Sequence, residues 1–253
     1  MTKSKLGPKD LVWATAKKAT LMSLLFPLLG TGISYAAYAD DLSISEWPWR
    51  IGLLVTLACF LLPFVVSWTY RRTNLLWVYG LVMSIAIFAV YFYFGIFAYF
   101  FYFLFAPMSS IARWPGLLGG IALTLYWAVM SKQAVMRTIT TTSFVNRAFD
   151  ENESDLSYKI QTGTALFERL HKERSPFPKV YMYIVFGLAP FYLILSRMLS
   201  SGFGANGVLV VLAVLGMPVS LWFLGVLIRI NIVMIGLPRK LEKERRKPVL
   251  VAD

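Results

Sequence analysis

A chain of 253 residues with 58% apolar, 16% aromatic and only 15% charged side chains, and a mean hydropathy of +0.63, does not have the composition of a soluble domain of that length. Its one cysteine, Cys59, excludes an internal disulfide framework. The formal net charge of +12, from 25 basic and 13 acidic side chains, accompanies long apolar runs, so the excess is expected to orient the chain in a bilayer; no nucleic-acid partner is expected.

A helix rises about 1.5 Å per residue and a bilayer's hydrocarbon core is about 30 Å thick, so about 20 apolar residues make one span. Such runs lie at 21–39, 51–70, 75–106, 116–131, 180–196 and 208–228. The first follows a basic stretch and ends in Ala37-Tyr38-Ala39 ahead of Asp40, a pattern that resembles a cleavable secretory signal; the length of the basic stretch favours an uncleaved span. Trp47, Pro48 and Trp49 precede the second run, where indole rings settle at headgroup level. The third run is one over-long helix, a helix to about Gly95 followed by an interfacial segment ending at Pro107, or two spans.

Charge chooses among these alternatives. With six spans and an internal N-terminus, 21 of the 25 basic residues fall on the cytoplasmic side; Arg50, Arg113 and Arg197 fall on or near the outer side and Arg229 lies in the last apolar stretch. Seven spans would move the basic residues between 132 and 179 outside, against the positive-inside rule. The expected fold is therefore an all-α, polytopic helical membrane protein of about six transmembrane helices, with both termini cytoplasmic, in a cell inner membrane. Its parts are a basic N-terminus (1–20), helices one to four (21–131), a cytoplasmic arm (132–179), helices five and six (180–237) and a basic tail (238–253).

The arm is expected to hold two short helices and no independent core. Val135, Met136, Ile139, Phe144, Val145 and Phe149 recur at roughly helical spacing and extend span four; Leu166, Phe167 and Leu170 mark a second helix ended by Ser175-Pro176. Between them Asp150, Asn152 and Ser154 are spaced like a calcium loop, but Asp155 stands where glycine is required and Gln161 where a bidentate Glu is required, so a solvated turn is expected. The tail from Arg239 to Lys247 is expected to meet anionic headgroups.

All 13 carboxylates and the single histidine, His171, fall outside the predicted spans, which leaves no acid–base pair or ligand set for proton relay, intramembrane proteolysis or metal chemistry. No catalytic residue, metal or cofactor is expected. The candidate contact residues are polar groups in apolar surroundings: Arg229 and Asn231 in the last run, Arg197 at the outer end of the fifth, and Tyr91, Tyr99 and Tyr102. These tyrosines belong to a segment, Phe88 to Phe105, in which twelve of eighteen residues are Phe or Tyr. So many rings are expected to pack on neighbouring helices, lipid or another protein. Gly116 and Gly120 have the spacing that lets helices approach closely. Function is accordingly expected to be association with other membrane-protein subunits in an envelope machine of secretion or conjugation type, or as a protective exclusion protein. The alternative is a channel or uniporter for a small, anionic solute, opened around Pro63, Pro190 and Pro218.

Overall fold

A computed structural model describes residues 10–174, 180, 183, 187 and 189–252. The fold is mostly helical, at 84%, and among the described residues five helices are long and apolar enough to cross a membrane: Leu11–Asp41, Trp47–Thr69, Leu76–Phe105, Ser110–Thr141 and Gly204–Arg245. Of the expected fifth run, 180–196, residues 181, 182, 184–186 and 188 lie outside the described residues.

Helix α1 (Leu11–Ser34) continues through a π-helical segment, Tyr35–Asp41, which contains the Ala37-Tyr38-Ala39 sequence. Tyr38 there is fully buried. Helix α2 (Trp47–Thr69) returns beside α1, with Gly52 and Thr56 against Thr31; the Thr31 and Thr56 hydroxyls lie 3.2 Å apart. The ambiguous 32-residue run resolves as a single path: α3 (Leu76–Tyr91), a ten-residue π-helical segment (Phe92–Phe101) and α4 (Tyr102–Phe105). Helix α5 (Ser110–Thr141) extends past its apolar part through Val135, Met136 and Ile139, but stops short of Phe144, Val145 and Phe149, which the spacing also placed in it. Helix α8 (Tyr192–Ile230) bends at Gly204, where φ is +61°, a conformation that a side chain would strain. It then runs through a third π-helical segment (Asn231–Gly236) into α9 (Leu237–Arg245).

The all-α expectation needs correction at the end of the bundle that carries most of the basic residues. After α5 come α6 (Phe144–Ala148), the strands β1 (Phe149–Glu151) and β2 (Leu156–Lys159), and α7 (Ile160–Arg174); the tail ends in β3 (Val249–Ala252). The strands form one sheet in the order β1-β2-β3, antiparallel between β1 and β2 and parallel between β2 and β3, with Tyr158 paired to Phe149 on one side and Val251 on the other. Arm and tail therefore share one sheet, which the expectation of two short helices did not include, and its core is completed by the ends of the long helices. Phe144, Leu156, Tyr158 and Val249 are buried there with Leu76, Val233 and Leu241 from the ends of the long helices.

Polar bonds fasten this layer to the bundle. Asp10 caps α1 by accepting from Trp13 N at 3.0 Å, and its other oxygen accepts from Arg72 N at 3.1 Å. The Asn74 side chain accepts from Leu11 N at 3.0 Å while its carbonyl accepts from Val251 N at 2.9 Å. The start of α1, the α2–α3 turn and the last strand are thus joined through the Asp10 and Asn74 side chains and the Asn74 backbone carbonyl.

Deleting residues 249–252 uncovers Leu156 and Tyr158 and removes two buried valines, each worth about 1.5 kcal/mol or more. Unfolding of the purified chain in mild detergent should shift by about 3 kcal/mol or more. Glu151→Gln, which loses only exposed ion pairs with Arg245 and Lys247, should shift it by less than about 1 kcal/mol.

Candidate functional site

The aromatic segment occupies the centre of the bundle. Half of the most apolar stretch of Leu76–Phe105 is buried, against 22% for the α5 helix. Phe92, Phe97, Phe101 and Tyr102 are nearly or fully buried, and of residues 88–106 only Leu104 is exposed. The rings interlock at van der Waals range, with Phe92, Phe97 and Phe101 in edge-to-face pairs and Phe94 stacked on Phe223 of α8 at 6.3 Å. Of the alternatives expected for this run, packing on neighbouring helices accounts for its buried rings.

What lets them use it is small residues on the facing helices. A Cβ on Gly116 would fall 2.0 Å from the Phe103 ring, and one on Gly120 would fall 2.3 Å from Tyr99. The Tyr99 hydroxyl donates to the Gly116 carbonyl at 2.9 Å. Two features read separately from the sequence, the tyrosines and the glycine pair, thus form one joint, in which the glycines receive rings rather than a second backbone. On the opposite side of the segment a Cβ on Gly216 of α8 would meet the Phe94 carbonyl at 2.9 Å. Tyr102 is buried in the same cluster as Tyr38, Phe101 and Leu209, and Tyr91 is half-buried beside Gly95. Tyr38 was not singled out by the sequence, because its helix is continuous with an apolar run that gives no sign of which face turns inward.

Arg229 lies where α8 leaves the bundle and the small layer begins. It is half-buried, with its guanidinium 5.8 Å from the centre of the Phe167 ring of α7. It also acts electrostatically on Tyr158, whose ring packs on Phe149 at 5.0 Å and whose hydroxyl lies over Gly163. Burial pushes the Tyr158 phenol up to about 12, with Arg229 drawing it down and Tyr79 adding to the rise. Asn231 is exposed and donates to the Leu227 carbonyl at 2.8 Å, one turn back in its own helix. Arg197 is exposed near the other end of α8. The arginines do not converge.

The acids of the 150–155 turn are engaged within the layer. Asp150 pairs with Lys159 at 2.6 Å, Glu151 with Arg245 and Lys247, and Asp155 accepts from Asn152 Nδ2 at 2.8 Å. Two of the tail cations, Arg245 and Lys247, are thus engaged by Glu151. Among the described residues no group of three or more His, Cys, Asp or Glu side chains is placed to hold a metal. No family model, curated protein or solved structure matches the chain.

Two consequences can be measured. Gly116→Ala forces the Phe103 ring to move and should destabilise the purified protein by about 1 to 3 kcal/mol. Gly119→Ala, where nothing lies within 4 Å, should be neutral or stabilise by up to about 1 kcal/mol through helix propensity. Because the Tyr158 phenol is raised in the folded state, the unfolded chain releases this proton first as pH rises. Its stabilising contribution is therefore intact below about 10 and lost between about 10 and 12. Unfolding free energies compared with Tyr158→Phe across that range should converge by about 2 to 3 kcal/mol.

Proposed function

We propose that this chain is a non-enzymatic, multi-pass protein of a bacterial-type inner membrane that acts by lateral association with another membrane protein. It would serve as a subunit or assembly factor of an envelope machine of secretion or conjugation type, or as a protective exclusion protein. The observation that carries this proposal is the two-sidedness of α5. One face receives Phe103 and Tyr99 in Gly116 and Gly120. The other bears Ala112, Pro115, Gly119 and Ala122, all exposed, at steps of three, four and three residues. Small residues at that spacing allow a second helix backbone to approach closely, and lipid tails give little drive to fill such a groove specifically. Exposed Trp114, Leu118 and Leu125 flank the stripe and supply the large contacts that such a joint needs.

The channel alternative gains no comparable support. Arg197 and Arg229 lie toward opposite ends of α8, and the central span between the helices is filled with rings.

A photo-crosslinking residue at Ala122 should give one discrete protein adduct in the native membrane, and the same residue at Leu57 of α2 should not. Gly119→Leu should abolish the adduct without lowering the thermal stability of the isolated chain. Adducts with lipid alone, from both positions equally, would contradict the proposal.

A further inference from the structure

Between α2, α3 and the last span lies an open apolar groove of about 290 Å³. It exists because Ala58, Cys59 and Ser84 are small where their neighbours Leu62, Phe88 and Leu227 are large. The lining is almost wholly hydrocarbon, so the groove suits an alkyl chain and offers little to a polar solute.

Toward the basic end, the same helix faces lead to two rings and a cation. Trp77, Ser84 and Phe88 are spaced i, i+7 and i+11 along α3, which puts them on one face. The Trp77 ring meets Tyr70, just past the end of α2, with centroids 4.9 Å apart and planes at 78°. The Arg239 guanidinium lies 4.7 Å from the Trp77 centroid. Arg239 is exposed, and among the described residues no salt bridge engages it. At about 1.5 Å per residue, Trp77 stands about 10 Å along the helix from Ser84 and about 16 Å from Phe88. That is the depth of one leaflet, half of a hydrocarbon core about 30 Å thick.

A cation held on an indole rather than on a carboxylate, at the polar end of an apolar trough one leaflet deep, is the complement of an anionic phospholipid. We propose that such a lipid is bound here as a resident molecule, its phosphate on Arg239, its glycerol region against Trp77 and Tyr70, and one acyl chain in the groove between α2, α3 and Leu227. The site is separate from the α5 face, and its test does not depend on any protein partner.

A matched control is built into the fold. The Arg71 guanidinium lies 6.0 Å from the Trp13 ring, which packs on Phe64. Phe64 is two residues from the groove residue Leu62, about 200° round α2. Arg71, with Lys17 at 5.5 Å from the same ring, therefore offers cations on an indole without the groove.

The test uses the full-length chain, purified in mild detergent and exposed to equal amounts of phosphatidylglycerol and phosphatidylcholine of the same acyl length, with retained lipid counted by native mass spectrometry. Phosphatidylglycerol should be retained preferentially. Arg239→Gln should weaken that retention about fivefold, the ratio equivalent to about 1 kcal/mol for one basic side chain at an anionic surface. Ala58→Phe, which fills the groove, should lower retention of the lipid while leaving the melting temperature of the lipid-free protein close to the parent. Arg71→Gln should leave retention unchanged. Glycerol phosphate without acyl chains should not compete. The proposal is overturned if retention is indifferent to both Arg239→Gln and Ala58→Phe, if Arg71→Gln lowers it as much as Arg239→Gln does, or if glycerol phosphate alone displaces the lipid.

Discussion

The bundle depends on the fit between one ring-rich helix and the small residues that face it. Between α1, α2, α5 and α8, the segment from Leu76 to Phe105 carries rings at so many successive positions that no single face holds them all. A helix apolar on every side can be covered by lipid or by neighbouring helices, and here neighbours cover most of it. The approaches are made by glycine: Gly116 and Gly120 take Phe103 and Tyr99, and Gly216 lets α8 close on the Phe94 carbonyl. Each ring that enters such a notch gains contact on both faces, at a packing density that lipid cannot supply. The π-helical turns of Phe92–Phe101 belong to the same fit, since a wider turn alters which rings point at which neighbour.

Consequences follow for the edges of the bundle. With the aromatic segment largely buried, the least covered of the long apolar helices are α2 and α5, whose most apolar stretches are only 28% and 22% buried. The two edges differ in character. The α2 side has an apolar groove with Arg239 on Trp77 toward its basic end, whereas the α5 side has a strip of small residues between large ones. A flexible lipid chain suits the first and a second helix the second. At the basic end, parallel pairing of β3 with β2 ties the tail to the arm, and Arg229 with Phe167 closes the joint between that layer and the last long helix. Residues from the two ends of the chain thus share a single packed core with Leu76 and Val233.

The bilayer-crossing elements were legible because their signal is summed over many residues. The run at 51–70 corresponds to Trp47–Thr69 and that at 75–106 to Leu76–Phe105. The first and last helices reach beyond their apolar runs because Lys17, Lys18 and Arg229 are tolerated near a boundary where long side chains extend toward polar surroundings or rings. The sheet was not legible. Its strands are three or four residues long, and β3 follows a run of charges that disguises Val249 and Val251 as tail. Its pairing with β2 is parallel and distant in sequence, so no hairpin signal marks it. At the candidate site the residue types were visible, but their relation was not. Gly116 and Gly120 have the spacing of a helix–helix contact, and only the packing reveals that rings fill them. Arg229 was visible as an unusual charge, whereas Phe167 and Tyr158, which receive it, lie in the arm whose fold was hidden.

The central claim is that the aromatic segment is interior, and labelling from within the lipid phase tests it most directly. A hydrophobic carbene precursor dissolved in the bilayer, activated by light and mapped by mass spectrometry, should modify exposed residues of α2 and α5 such as Leu57, Leu61, Leu118 and Leu125 heavily. It should leave residues 88–103 almost unmodified, with Leu104 the exception in that helix. Modification of Phe92, Phe97 or Tyr99 as heavy as that of Leu57 would show that the rings face lipid and would contradict the account.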